Sequence, residues 1–139
     1  MASEMVKVLV LVDDLDAALA FVDALGAGPV VHISPTAAQT AQGLGWPEDH
    51  EGTRGAFVGT GPGLLEIVEI PPSLRGIVVP GVGKVTFSTE DPEGVAHDLR
   101  GSGFPVRGPS SFFEPGGGSY STVRAALGGI VFEAVHHST

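Results

Sequence analysis

Two lysines occur in this chain, and both occupy the same place in a repeated pattern. Lys7 opens the apolar run Lys7-Val8-Leu9-Val10-Leu11-Val12, closed by Asp13 and Asp14. Lys84 opens Lys84-Val85-Thr86-Phe87-Ser88-Thr89, closed by Glu90 and Asp91. Lys84 follows Lys7 by 77 residues, and Asp91 follows Asp14 by the same interval. Each half then ends in an apolar run around one central glutamate, Leu64-Leu65-Glu66-Ile67-Val68 and Val131-Phe132-Glu133-Ala134-Val135. A charge inside such a strand is costly unless it is paired. Two lysines and two glutamates duplicated in register therefore suggest one shared central site.

The elements between these landmarks repeat as well. Residues 6–12 predict a strand. Asp13 or Asp14 caps a helix over about 14–25, where Leu15, Ala18, Leu19, Val22 and Leu25 recur at helical spacing. Residues 29–33 predict a short strand, and 54–60 and 64–70 a hairpin turned at Gly61-Pro62-Gly63. Between them, residues 34–53 form a long irregular stretch with one helical turn at 36–43. Pro71 to Pro80 reads as a linker. The order then recurs: a strand at 84–89, a helix from Asp91-Pro92-Glu93 to Arg100, a short strand at 104–107, a loop from Gly108 to Gly118, and strands at 119–126 and 130–136. The expected organisation is one domain over residues 1–139, with module one at 5–70, a linker at 71–81 and module two at 82–137.

Composition narrows the partners. A net charge of −9 argues against nucleic acid, which needs clustered Lys and Arg to neutralise phosphate. It favours a cationic or neutral small ligand. The absence of cysteine removes disulfides, thiolate nucleophiles and thiolate metal ligands. No apolar run is long enough to cross a membrane and Glu4 precedes the first one, so a cytoplasmic protein is expected.

The duplicated order resembles the vicinal oxygen chelate superfamily, which includes glyoxalase I, extradiol dioxygenases and bleomycin-resistance proteins. The carrying residues are Val12-Asp13-Asp14-Leu15, Phe21, Leu25-Gly26, Ala56-Phe57-Val58-Gly59, Gly129 and Phe132-Glu133. The resemblance implies an α+β fold of two βαβββ modules, forming a half-open, barrel-like mixed sheet around a central cavity. In metal-dependent members a ligand, often His or Glu, stands on the first and last strand of each module. Carried over by position, those places hold Lys7, Glu66, Lys84 and Glu133. An ammonium has no acceptor lone pair, so the two lysines speak against the usual metal site.

These four residues are the candidate catalytic set, with an internal ionic brace as the competing reading. Trp46, Phe112, Phe113 and Tyr120 are candidate flat walls for a ligand, and His50, Arg54 and Arg124 candidate polar contacts. Alternation places Tyr120, Thr122 and Arg124 on one strand face, where Arg124 would hold a carboxylate or carbonyl. No metal or cofactor is expected. Three functions compete. The first is a metal-independent protein of the glyoxalase/bleomycin-resistance type that binds a cationic or aromatic small molecule, as an antibiotic-resistance protein does by sequestration. The second is a metal-independent isomerase, lyase or cyclase using Lys/Glu acid–base chemistry. The third is a metal-dependent glyoxalase or dioxygenase. A homodimer is expected, because half-barrel sheets need their edges covered.

Overall fold

The computed structural model describes residues 4–113 and 118–138. Its contacts divide the chain into two units: Lys7–Gly83, and Met1–Val6 together with Lys84–Thr139.

The first unit is built on strand β1 (Glu4–Val12), which enters it at Lys7. Helix α1 (Leu15–Ala24) follows, its first turn capped by the Asp14 side chain, which accepts from the Ala17 N–H at 3.1 Å. Strand β2 (Val30–Ile33), helix α2 (Ala37–Leu44), and strands β3 (Gly55–Val58) and β4 (Leu64–Glu69) complete it. The strand order is β2-β3-β4-β1, with β1 parallel to β4 and the other pairs antiparallel. Both faces of the sheet are covered at β1 and β4, which explains why β1 reads as a continuous apolar run rather than an alternating one. One face packs Val10, Val12, Leu65 and Ile67 against Leu15, Leu19 and Val22 of α1. The opposite face packs Leu9, Leu11, Val68 and Ile70 against Trp46 and Leu74.

Two expectations change here. Residues 36–43, read as a helical turn in an irregular stretch, belong to a helix with a complete capping box. Thr36 Oγ1 accepts from the Gln39 N–H at 3.1 Å, and Gln39 Oε1 accepts from the Thr36 N–H at 2.9 Å. The segment read as a linker also packs: a 3₁₀ turn at Pro72–Leu74 drops Leu74, 1% exposed, into the Leu9/Trp46 cluster.

The second unit repeats the plan with strand β5 (Gly81–Ser88, from Lys84 onward), helix α3 (Pro92–Gly101) and strands β6 (Val106–Phe113), β7 (Ser119–Leu127) and β8 (Ile130–Ser138). Its order is β5-β8-β7-β6, with β5 parallel to β8. Asp91 caps α3 through the Gly94 N–H at 3.0 Å, and Pro92 takes the first helical position, as expected. The β7–β8 hairpin turns on Gly128 and Gly129, at φ of 60° and 87°, conformations that a two-residue hairpin requires and a side chain disfavours. β6 is longer than expected, because the segment after Gly108 is strand rather than loop up to Phe113. A register shift between Arg107 and Ser110 lets the strand run past Pro109, which has no N–H to give to a ladder. Gly108 is needed there: a Cβ would lie 2.5 Å from the Thr122 carbonyl oxygen. Among the described residues no helix is long and apolar enough to cross a membrane.

Leu74 gives the fold its test. Leu74→Ala should lower stability in urea denaturation by about 2–5 kcal/mol, the range for a truncated core leucine. A change below about 0.5 kcal/mol, as at an ordinary surface position, would show that the segment is a passive connection.

Candidate functional site

Each unit holds its own lysine–glutamate pair on the sheet face away from its helix. In the first, Lys7 Nζ lies 2.6 Å from Glu66 Oε1 and 5.5 Å from the centre of the Phe57 ring. That oxygen has no well-aligned hydrogen bond, so the contact is ionic and close rather than directional. In the second, Lys84 Nζ is 3.8 Å from Glu133 Oε1, which also accepts from Thr86 Oγ1 at 3.2 Å. Glu133 Oε2 accepts from Arg124 Nε at 2.7 Å. Glu66, Lys84 and Glu133 are all buried, at 8%, 8% and 6% exposure, a depth at which a charge requires a partner.

The strand registers show where the two units diverge. Phe57 stands opposite Glu66 on β3, and Arg124 stands opposite Glu133 on β7. An aromatic ring beneath one lysine thus takes the place of a guanidinium on the other glutamate. The rest of the two faces differ in the same sense. Leu9 and Leu11 follow Lys7, whereas Thr86 and Ser88 follow Lys84; Ile70 ends one face, whereas His137 continues the other. The first face is a dry core filled by Trp46. The second is polar.

Trp46, expected as a ligand wall, is 7% exposed and belongs to that core. His50 lies beside it, the ring centres 6.2 Å apart. Its Nδ1 accepts from the Gly52 N–H at 3.0 Å, which places the proton on Nε2, 3.0 Å from Thr40 Oγ1. The imidazole thereby ties the loop after α2 back to the helix. Arg54 is a clamp. It donates from Nε and Nη2 to both oxygens of Glu69 at 3.0 Å, and from Nη1 and Nη2 to both oxygens of Asp16 at 3.1 Å. Glu69 also accepts the Leu15 N–H at 2.8 Å, joining β4 to the first turn of α1.

Phe112, Tyr120 and Arg124 sit on the polar face of the second unit. Phe112 and Tyr120 stack with ring centres 5.3 Å apart, and the Arg124 guanidinium lies 5.3 Å from the Phe112 centre. The Phe113 backbone pairs with Ser119, and its side chain lies outside the described residues. At the Ser88–Glu90 end of this unit lies a cavity of about 720 Å³ whose walls include Glu4, Ser88, Glu90, Val135, His136 and His137. His136 Nδ1 is held by the Thr89 carbonyl at 3.1 Å. Sequence reading identified the charged residues but not Phe57, Glu69 or the cavity. Glu69 was findable, because it lies on the opposite strand face from Glu66 and one strand across from Arg54.

The clamp makes a pH prediction. The Arg54 hydrogen bond is the main force holding the Glu69 carboxyl below its ordinary value of 4.5; burial opposes it and the Leu15 N–H assists it. Arg54 itself is raised, first by Glu69 and then by Asp16, and stays charged throughout. A depressed carboxylate stabilises the fold fully above its unfolded pKa, and that contribution is lost as pH falls through the folded value. Stability measured by urea midpoint should fall below pH 4.5, and Glu69→Gln should flatten that fall relative to the parent chain. Parallel curves would show that the clamp contributes nothing.

No family model matches the chain, and no curated protein is similar to it in sequence. Solved structures do match. Streptomyces coelicolor methylmalonyl-CoA epimerase in complex with 2-nitronate-propionyl-CoA aligns over 95% of this chain and 92% of its own, with 18% identity and a TM-score of 0.64. A hypothetical protein from Bacillus halodurans C-125 aligns over 97% and 94%, with 13% identity and a TM-score of 0.62. A variant of 4-hydroxymandelate synthase from Streptomyces coelicolor aligns over 98% of this chain and 49% of its own, at 14% identity and a TM-score of 0.68. At these identities the likeness concerns architecture, and both βαβββ modules fall within it. The chain has the fold of the vicinal oxygen chelate superfamily.

Proposed function

We propose that the protein binds a small molecule without a metal ion, in the manner of the bleomycin-resistance type, on the polar face of its second unit. The observation that carries this reading is the state of the two carboxylates. The places that hold a metal in metal-dependent members of the superfamily are taken here by Lys7, Glu66, Lys84 and Glu133. A divalent ion needs lone pairs directed at one point. The lysines offer none while charged. Glu66 faces an ammonium at 2.6 Å, and both oxygens of Glu133 are engaged, by Thr86 and Lys84 on one side and Arg124 on the other. This donor set does not fit a metal.

The same engagement argues against an acid–base role for Glu133. A general base must aim an acceptor oxygen at the proton it removes. Neither oxygen of Glu133 stands free of a cation or a hydroxyl donor. What the face does offer is a stacked aromatic pair, a half-buried guanidinium and an adjoining cavity within the usual volume range of small-molecule sites. A second copy of the chain is expected to pair with it, since β2 ends its strand order and exposes Val30 and Val31.

The alternative is an isomerase, lyase or cyclase, and its specific support is the epimerase among the structural neighbours, one of which holds methylmalonyl-CoA. Epimerisation beside a carbonyl proceeds by proton removal, so it exchanges that proton with solvent. Methylmalonyl-CoA incubated with the protein in heavy water should gain no deuterium at the epimerisable carbon above the uncatalysed rate. In parallel, a small-molecule library should yield compounds that raise the melting temperature saturably and are recovered unchanged. Deuterium incorporation that Glu133→Gln abolishes would favour the enzyme and overturn the binding reading.

A further inference from the structure

We infer that the site in the second unit takes a ligand carrying an oxyanion, a carboxylate above all, with Arg124 as its anchor and Glu133 as the residue that positions Arg124. This rests on the small-molecule reading above and names the ligand class. Arg124 donates Nε–H to Glu133 Oε2 at 2.7 Å, and its Cζ lies over the Phe112 ring, 5.3 Å from the ring centre. These two contacts fix the guanidinium while leaving Nη1 and Nη2 without a hydrogen bond among the described residues. A fixed guanidinium with both terminal nitrogens available matches the two oxygens of a carboxylate.

A second, independent observation lies two residues along the same strand face. Thr122 is 1% exposed and its hydroxyl has no hydrogen-bond partner. Buried hydroxyls are ordinarily satisfied, so an orphan of this kind calls for a group that completes it. Thr122 pairs with Val135 and Tyr120 pairs with His137, and both partners are walls of the cavity. Arg124, Thr122 and Tyr120 follow one another along one strand face, a row that ends in the Phe112–Tyr120 stack, which suits a planar body. Glu4 and Glu90 stand on the walls of that cavity and are exposed, where water screens them. Arg124 acts from a side chain only 16% exposed, where its field is stronger. This assignment departs from the cationic ligand that net charge alone suggests.

A charge ladder on one ring tests it. Benzoate, benzamide and benzamidine have nearly the same shape and carry negative, zero and positive charge. Each is titrated into the full chain labelled with ¹⁵N, following the arginine Nε–H signals. The expected result is saturable binding of benzoate, about ten-fold tighter than either analogue, with the Arg124 signal shifting. Arg124→Lys should weaken benzoate by about ten-fold or more. Should that variant fail to fold, Thr122→Val decides. It replaces an unpartnered hydroxyl by a methyl group, so the unliganded protein should be as stable as the parent or more so, while benzoate binds roughly three-fold or more weakly. Tighter binding of benzamide or benzamidine would overturn the oxyanion assignment and leave the small-molecule reading standing. Unchanged benzoate affinity in Arg124→Lys, or in Thr122→Val, would overturn the assignment too. No binding of any of the three up to roughly 50 mM would overturn it and count against the small-molecule reading as well.

Discussion

An ammonium and a carboxylate withdrawn from water hold each other in place only while both are present. Removing one partner of a buried pair leaves an uncompensated charge and costs roughly 3–5 kcal/mol, although the intact pair contributes little against an apolar replacement. Lys7 with Glu66, and Lys84 with Glu133, therefore act less as sources of stability than as constraints on what else the fold can do at those positions. They hold one oxygen of each glutamate beside an ammonium and set the polar level of each sheet face. The chemistry left to the protein follows from what stands around them.

What stands around them differs between the units. In the first, the face continues into Leu9, Leu11, Val68 and Ile70 and is closed by Trp46 and Leu74, and Phe57 lies under the lysine. That face is committed to packing. In the second, Thr86 and Arg124 hold the glutamate, and Ser88, Val135 and His137 line a cavity at the end of the unit. A duplicated framework thus carries an ion pair in both copies, beside a filled apolar face in one and a polar face in the other. Arg54 illustrates the opposite outcome for a charged side chain. Its nitrogens are given to Glu69 and Asp16, and it serves the joint between β4 and α1.

Much of this was legible in the residues. The repeat of lysine-led strand, helix and glutamate-centred strand fixed the βαβββ order, because charge inside an apolar run is rare enough to act as a marker. Alternation correctly placed Thr122 and Arg124 on one face and grouped Lys84 with Thr86. The misreadings share a cause. Helix α2 has little apolar periodicity, and its signal was the Thr36–Gln39 capping box, a polar pattern rather than a hydrophobic one. Leu74 and Trp46 lie in Pro- and Gly-rich segments that look like connections, yet each carries one large side chain into the core. β6 hid behind Gly108-Pro109, which usually marks a loop and here marks a bulge in a strand that ends its sheet order. Which aromatic lines a core and which lines a site is decided by tertiary contacts, and no local spacing records it.

The claim on which the account turns is that lysine ammoniums hold the glutamates that a metal would otherwise take. Elemental mass spectrometry of untagged protein tests it most directly, before and after exposure to zinc, nickel, manganese and iron(II) followed by removal of free ion. Less than roughly a tenth of an equivalent of any of them per chain is expected. Close to one equivalent, lost on replacing Glu66 or Glu133 by glutamine in a chain that still folds, would contradict it.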